Sequence, residues 1–156
     1  METQENNHPR MAVPPPVIIG LPFAVGMLLQ WFVPIHFPPR ASGLVLGVPC
    51  GLFAIVLWVK AYAAFRRART SMLHSRRSRA LIVNGPFAYT RNPLYLSLVL
   101  FYAGFSFVAS AVWPMLLLPI AVLGLHFLAI IPEEGYLEGT YGNQYRTYKA
   151  RVRRWL

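Results

Sequence analysis

The sequence has little charge and almost no acid. Of its 156 residues 13% are charged, aspartate is absent, and five glutamates stand against fifteen lysines and arginines. One cysteine, Cys50, excludes an intrachain disulfide. The four histidines lack the spacing of a zinc site, so we predict no metal. The sequence has no phosphate-binding glycine loop and no Ser-His-acid arrangement, which leaves hydrolases and classical nucleotide-binding folds without support.

The chain is rich in apolar residues. They make up 56% of the chain, and the mean hydropathy is +0.44, whereas a soluble domain is about one quarter charged. A net charge of +10 suits either nucleic acid or anionic lipid. Because long apolar runs accompany it, we expect membrane lipids as partners and no nucleic acid. The sequence predicts an all-α, multi-pass membrane bundle of about four transmembrane helices.

The predicted organisation is one membrane domain behind a short tail. Residues 1–16 are polar and end in three prolines, typical of an extended cytoplasmic tail, and residues 17–156 form a single integral membrane domain. We expect spans at about 17–36, 44–65, 93–112 and 115–131, with Trp113-Pro114 as a tight turn between the last two.

The C-terminal segment has an amphipathic pattern. Apolar and aromatic residues recur at spacings of three and four, at Tyr145, Tyr148, Val152 and Trp155. The cations lie mostly elsewhere, and a basic amphipathic helix of this kind is predicted to lie in the membrane interface.

Topology follows from the basic loop between the second and third spans. It contains six arginines and no acid: Arg66, Arg67, Arg69, Arg76, Arg77 and Arg79. The positive-inside rule makes this loop cytoplasmic, and four spans then place both termini in the cytoplasm. The short chain lacks a retention signal, which favours a bacterial inner membrane.

The segment from Asn84 to Tyr95 concentrates glycine, proline, aromatic and cationic residues. Gly85-Pro86 interrupts any continuous helix, and Asn92-Pro93 predicts a new helix with Asn as its cap. Between the two breaks, aromatic and cationic side chains can converge on one small ligand: Phe87, Tyr89, Arg91 and Tyr95.

Glu133 and Glu134 follow the fourth predicted span. Either they are an interfacial anchor that pairs with the basic loop, or they meet Arg91 across the mouth of the helical hairpin and hold a cationic or hydroxyl-bearing ligand. His126, in the fourth span, is more typical of a hydrogen-bonded core histidine than of a ligand or base.

Together these motifs resemble a known family. Gly-Pro-Phe-x-Tyr-x-Arg-Asn-Pro-x-Tyr begins at Gly85 and is followed by a hairpin, by Glu133-Glu134, and by Tyr141-Gly142-x-x-Tyr145-x-x-Tyr148. This order is similar to the isoprenylcysteine carboxyl methyltransferase family, which is related to phospholipid methyltransferases. The resemblance covers residues 78–154 and implies a cytoplasmic S-adenosylmethionine site.

The resemblance also implies site residues. By position, cofactor contacts fall on Arg79, Leu81, Ile82, Phe87, Asn92, Pro93, Leu94, Tyr95, Glu133 and Glu134. The residue chemistry adds Tyr89 and Arg91, and we predict substrate contacts at Tyr145 and Tyr148. Asn92 replaces the family's usual histidine. No arginine lies in residues 128–131, where isoprenylcysteine enzymes carry one, which argues against a prenylcysteine carboxylate substrate.

Three functions follow as hypotheses. The first is an S-adenosylmethionine-dependent methyltransferase that acts on a small lipophilic or lipid-linked carboxylate or amine, because aromatic and carboxylate groups attract a sulfonium. No residue is singled out as a general base. The alternatives are a related membrane reductase that uses NADPH and a non-enzymatic protein that binds anionic lipid.

Overall fold

The computed structural model describes residues 13–68 and 81–155, and this part of the chain is helical. Six α-helices follow in order: α1 (Pro15–Phe32), α2 (Arg40–Arg67), α3 (Pro93–Val108), α4 (Val112–Leu125), α5 (Ile131–Tyr141) and α6 (Asn143–Arg151). A 3-10 turn, Gly85–Ala88, precedes α3, and a π-helical turn, His126–Ile130, joins α4 to α5. The predicted all-α class is confirmed. Most of the predicted tail, and Arg79, lie outside the described residues.

Within residues 13–68 and 81–155, three helices are long and apolar enough to cross a membrane. They are α1, α2 and the continuous helix Val112–Tyr141, and α3 is a shorter apolar helix of 16 residues. Large apolar side chains such as Trp31, Val45 and Leu116 point outward and are more than half exposed. Side chains of this kind on an outer surface suit lipid, so the chain is an integral membrane helical bundle.

Glycine brings α2 and α3 close together. A Cβ atom on Gly47 would lie 2.6 Å from the Gly104 carbonyl oxygen, and the Cys50 thiol donates to the Leu100 carbonyl at 3.3 Å. Small residues allow such close approach between membrane helices, where packing and hydrogen bonds drive association. The long helix α2 is thereby fixed along α3.

The predicted turn at Trp113-Pro114 is wrong. The chain turns at residues 109–111, where Ser110 has a φ of 50°, and α4 already begins at Val112. Proline is tolerated in the first turn of a helix because its missing amide would have no partner there. Trp113 instead donates from Nε1 to the Val33 carbonyl at 2.8 Å, which ties α4 to the end of α1.

The helix that contains the fourth predicted span does not end with that span at residue 131. The helix continues through the π-helical turn to Tyr141. Pro132 has no amide hydrogen and its ring needs room in the preceding turn, which the wider π turn provides. Glu133 and Glu134 therefore lie on the first turn of α5, on a rigid helix.

The apolar face of α6 packs onto the protein itself. Tyr145 and Tyr148 are buried, and Trp155, beyond the helix, packs against the core formed by α1, α3 and α4. The apolar face of the predicted amphipathic helix therefore packs against the helical bundle. The exposed face of α6 is polar and basic, with Arg146, Lys149 and Arg151.

Candidate functional site

The 3-10 turn before α3 is anchored from two sides. Gly85 takes a positive φ of 66°, which glycine adopts without strain. Phe87 is buried edge-on against Phe65 of α2, with ring centroids 5.5 Å apart. The Phe87 carbonyl accepts a hydrogen bond from the Tyr148 hydroxyl at 2.7 Å. Phe87 therefore connects α2 to α6.

Two contacts join the start of α3 to the two acids of α5. The Tyr95 hydroxyl donates to Glu133 Oε2 at 2.7 Å. Arg91 Nη1 lies 2.9 Å from Glu134 Oε1 and forms an ion pair with it. The expected meeting across the hairpin is confirmed for Glu134 with Arg91 and for Glu133 with Tyr95.

A second arginine binds Glu134, and the sequence reasoning missed it. Arg154 donates from Nε to Oε1 at 2.9 Å and from Nη2 to Oε2 at 2.8 Å. Glu134 is only 6% exposed, so two guanidinium groups compensate one buried carboxylate. Arg154 Nη1 also lies 3.4 Å from His126 Nε2, and since arginine only donates, that nitrogen is the acceptor. We call Arg91, Tyr95, Glu133, Glu134 and Arg154 the carboxylate cluster.

The backbone of the C-terminal segment holds the loop before α3. The Arg154 carbonyl accepts from Thr90 Oγ1 at 3.1 Å and from Asn92 Nδ2 at 3.2 Å. The Arg91 amide donates to the Arg153 carbonyl at 3.0 Å. Asn92 is the N-cap residue of α3, as predicted, but its side chain makes no capping hydrogen bond to the helix. The Asn92 side chain instead holds the C-terminal segment.

Tyr145 and Tyr148 lie behind the cluster as neutral phenols. Burial raises the pKa of Tyr145 to about 12, the Glu134 charge adds to the shift, and Arg91 opposes it. Burial also raises the pKa of Tyr148. Hydrogen bonding with the Glu134 carboxylate raises the pKa of Arg154, which stays charged. The structure places both predicted substrate contacts in the interior, where Tyr148 bonds the Phe87 carbonyl.

A groove of about 870 Å³ lies beside the cluster, between α2 and residues 81–90. We call it the α2 groove. Leu81, Ile82 and Tyr89 of the predicted set line it, and Lys60 and Arg67 of α2 contribute cations. Neither Glu133 nor Glu134 lines it, but Thr90 does, and Thr90 also bonds the carbonyl of Arg154. The groove and the cluster are thus adjacent but distinct.

The predicted residues therefore fall into separate groups. Arg91, Asn92, Tyr95, Glu133 and Glu134 lie in or against the carboxylate cluster, whereas Leu81, Ile82 and Tyr89 line the groove. Phe87 and Pro93 are buried in packing contacts, and Leu94 accepts from Ser97 Oγ through its carbonyl. By sequence alone, Arg154 and Lys60 do not differ from the other cations of the chain. Only the three-dimensional arrangement distinguishes them.

The cluster retains unused donor capacity. Arg91 Nε is buried, and among the described residues it has no hydrogen-bond partner. A buried donor without a partner is costly, so Arg91 Nε offers a hydrogen bond to an acceptor atom of a bound ligand. In the described part of the chain, no set of three or more His, Cys, Asp or Glu side chains could hold a metal ion.

Comparison with known proteins gives the chain its family. An uncharacterized protein of Haemophilus influenzae is 38% identical over 63 residues, which are 40% of this chain and the whole of that protein. No solved structure matches the chain. The phospholipid methyltransferase family matches residues 42–144, from the start of α2 to the start of α6. Since that match covers more than half of the sequence and includes both acids of the cluster, the chain belongs to the phospholipid methyltransferase family.

Proposed function

We propose that the protein transfers a methyl group from S-adenosylmethionine to a lipid or small lipophilic acceptor that carries an amine or a carboxylate. The observation that supports this most is the carboxylate cluster. In a chain of a methyltransferase family, it sets a buried arginine and two glutamates at one end of the helices, beside a groove that reaches along α2.

The donor set of the cluster suits this cofactor. S-adenosylmethionine carries a carboxylate, an ammonium and a sulfonium. Arg91 Nε offers a free buried donor for the carboxylate. Glu133, held by the Tyr95 hydroxyl, offers negative charge for a cationic group. The adjacent groove, at about 870 Å³, is within the size range of roughly 300–1,000 Å³ found for small-molecule sites.

The protein contributes placement and electrostatics. When bound, the cofactor supplies an electrophilic methyl group on a positively charged sulfur. The chain binds and orients the two reactants, and orientation of this kind can lower a barrier by roughly 7–11 kcal/mol. Tyr95 fixes the Glu133 carboxylate in one position, while Arg154 and Arg91 fix Glu134. These rigid side chains hold the reactants, and no residue is assigned as a general base.

We place this site on the cytoplasmic side of a bacterial inner membrane. Arg66 and Arg67 end α2 on the side where the groove opens, and α6 ends with Lys149 and Arg151. Cations collect on the cytoplasmic face of membrane proteins. With this orientation both termini are cytoplasmic, and residues 17–156 act as one domain whose cofactor-binding core is residues 78–154.

Labelled cofactor tests the proposal. Purified protein in detergent should bind S-adenosylmethionine saturably, and Glu133→Gln or Arg91→Ala should weaken binding by about tenfold or more while the helical circular dichroism is kept. Lipid extracts from cells with and without the protein, grown with methyl-labelled methionine, should differ in one labelled species. Saturable binding of NADPH in place of S-adenosylmethionine would contradict the proposal, as would binding of anionic lipid alone.

A further inference from the structure

We infer that the α2 groove is a binding site for one anionic lipid, whose acidic head group lies between Lys60 and Arg67. The inference rests on the proposed function only for this lipid's role as the methyl acceptor. Binding itself follows from the groove, and it does not depend on the carboxylate cluster.

One face of α2 forms the wall of the groove. Its lining residues recur at spacings of three and four and so form a stripe along the helix: Phe53, Val56, Leu57, Lys60, Ala63, Ala64 and Arg67. The stripe changes character along its length. Phe53 and Val56 are apolar and about half exposed, whereas Lys60 and Arg67 are exposed cations. The change matches a molecule with an apolar tail and a charged head.

The distances suit such a molecule. Phe53 and Lys60 are seven residues apart, as are Lys60 and Arg67, and each interval spans about 10 Å of helix at 1.5 Å per residue. Side chains as long as those of lysine and arginine can reach one head group from both ends of such an interval. The apolar part of the stripe then lies beside an acyl chain at membrane depth.

Charge selects the class of head group. No glutamate lines the groove among the described residues, and the three described glutamates lie on α5. Glu134 and Glu138 are paired with arginine and lysine. A zwitterionic head group would therefore bring its cation to a wall that offers only lysine and arginine as charged groups. A head group with net negative charge has no such penalty.

The groove also leads toward the proposed reaction site. Thr90 lines the groove and donates its hydroxyl to the Arg154 carbonyl, and Leu96 of α3, the residue after Tyr95, lines it as well. A lipid in the groove lies with its head group next to the carboxylate cluster. We therefore assign the groove to the acceptor and the cluster to the charged end of the cofactor.

Native mass spectrometry of the full chain tests the inference. Protein in nanodiscs of phosphatidylcholine with a minor fraction of phosphatidylserine, which has net negative charge, an amine and a carboxylate, should retain one phosphatidylserine molecule on release. Lys60→Gln with Arg67→Gln should lower this occupancy roughly 30-fold, since each cation near the surface changes binding about fivefold. Arg151→Gln with Arg153→Gln removes the same charge from the exposed end of α6 and should leave the occupancy unchanged.

Further measurements distinguish a bound lipid from other occupants of the groove. Val56→Trp should fill the apolar part of the groove and displace the lipid without any change in charge. Equal losses in both charge variants, or equal retention of phosphatidylcholine, would overturn the inference. Displacement of the lipid by millimolar inorganic phosphate would also overturn it, because the groove would then be an anion site only. A dimer without bound lipid would overturn it as well, because a second copy of the chain would then cover the groove. Retained lipid without S-adenosylmethionine binding would instead count against the proposed function alone.

Discussion

Arg154 binds Glu134 through two hydrogen bonds, at 2.9 and 2.8 Å, so that the end of the described chain meets the acid pair of α5. The same residue accepts hydrogen bonds from Thr90 and Asn92 through its carbonyl. One residue of the C-terminal segment thus connects α5 to the loop before α3, and the first prediction concerns its loss.

Arg154→Gln should destabilise the protein by about 1–3 kcal/mol, because a largely buried carboxylate loses two charge-assisted donors and keeps only Arg91. Thermal unfolding in detergent measures the change as a lower apparent Tm. Arg151→Gln, an exposed position at the end of α6, is the matched control and should leave Tm unchanged. Equal Tm values for the two variants would contradict a structural role for Arg154.

Tyr95→Phe should weaken S-adenosylmethionine binding by about two- to tenfold. The substitution removes only the hydroxyl that donates to Glu133 at 2.7 Å, and a single hydrogen bond contributes about 0.5–1.5 kcal/mol. Isothermal titration calorimetry measures the Kd. Tyr62→Phe removes a hydroxyl from an exposed ring stacked on Trp58 and should not alter it. An unchanged Kd in Tyr95→Phe would contradict a contact between Glu133 and the cofactor.

Gly47→Ala should destabilise the α2–α3 packing by about 1–3 kcal/mol, because the new methyl group would lie 2.6 Å from the Gly104 carbonyl. Gly51→Ala, one turn along the same helix, meets open space. It should be neutral or should stabilise by up to about 1 kcal/mol through helix propensity. Apparent Tm values of the pair in the same detergent give the comparison. A loss of stability in both variants would show that glycine is needed for flexibility and not for space.

Stability should fall in alkali between pH 10 and pH 12. The pKa of Tyr145 rises from 10.0 to about 12 on burial, so the folded state disfavours the phenolate. The contribution is complete below pH 10 and is lost as the pH rises toward the folded pKa. Absorbance of tyrosinate and unfolding at each pH measure both effects. Tyr145→Phe should flatten the pH dependence, whereas Tyr89→Phe, at an exposed ring, should preserve it.

The sequence predicted the helices well but not their ends. Local rules located the break at Gly85-Pro86 and the helix start at Pro93, since glycine and proline act on their immediate neighbours. They failed at Pro114, where a turn was predicted and α4 is already helical, and they did not show that the helix continues through Pro132. Pro114 is tolerated because the first amides of a helix have no partner within the helix. At Pro132, the wider π turn gives the proline ring the room that it needs.

The acid pair was predictable, and its second partner was not. Glu133 and Glu134 are conspicuous because acids are rare in the chain. Arg154 is one of many cations, and only the fold of α6 brings it to Glu134. Likewise the tyrosines of α6 have the spacing of an amphipathic helix, but spacing alone does not say whether the apolar face meets lipid or protein.

The hydrogen bonds from Thr90, Arg91 and Asn92 to residues 153 and 154 impose an order on biosynthesis. Arg154 is translated 62 residues after Asn92. At roughly 5–20 residues per second, that interval is about 3–12 s. For those seconds α1 to α3 can already be inserted while the Arg91 amide lacks its acceptor, the Arg153 carbonyl, so a nascent chain stalled before residue 153 would be inserted but unable to complete the carboxylate cluster.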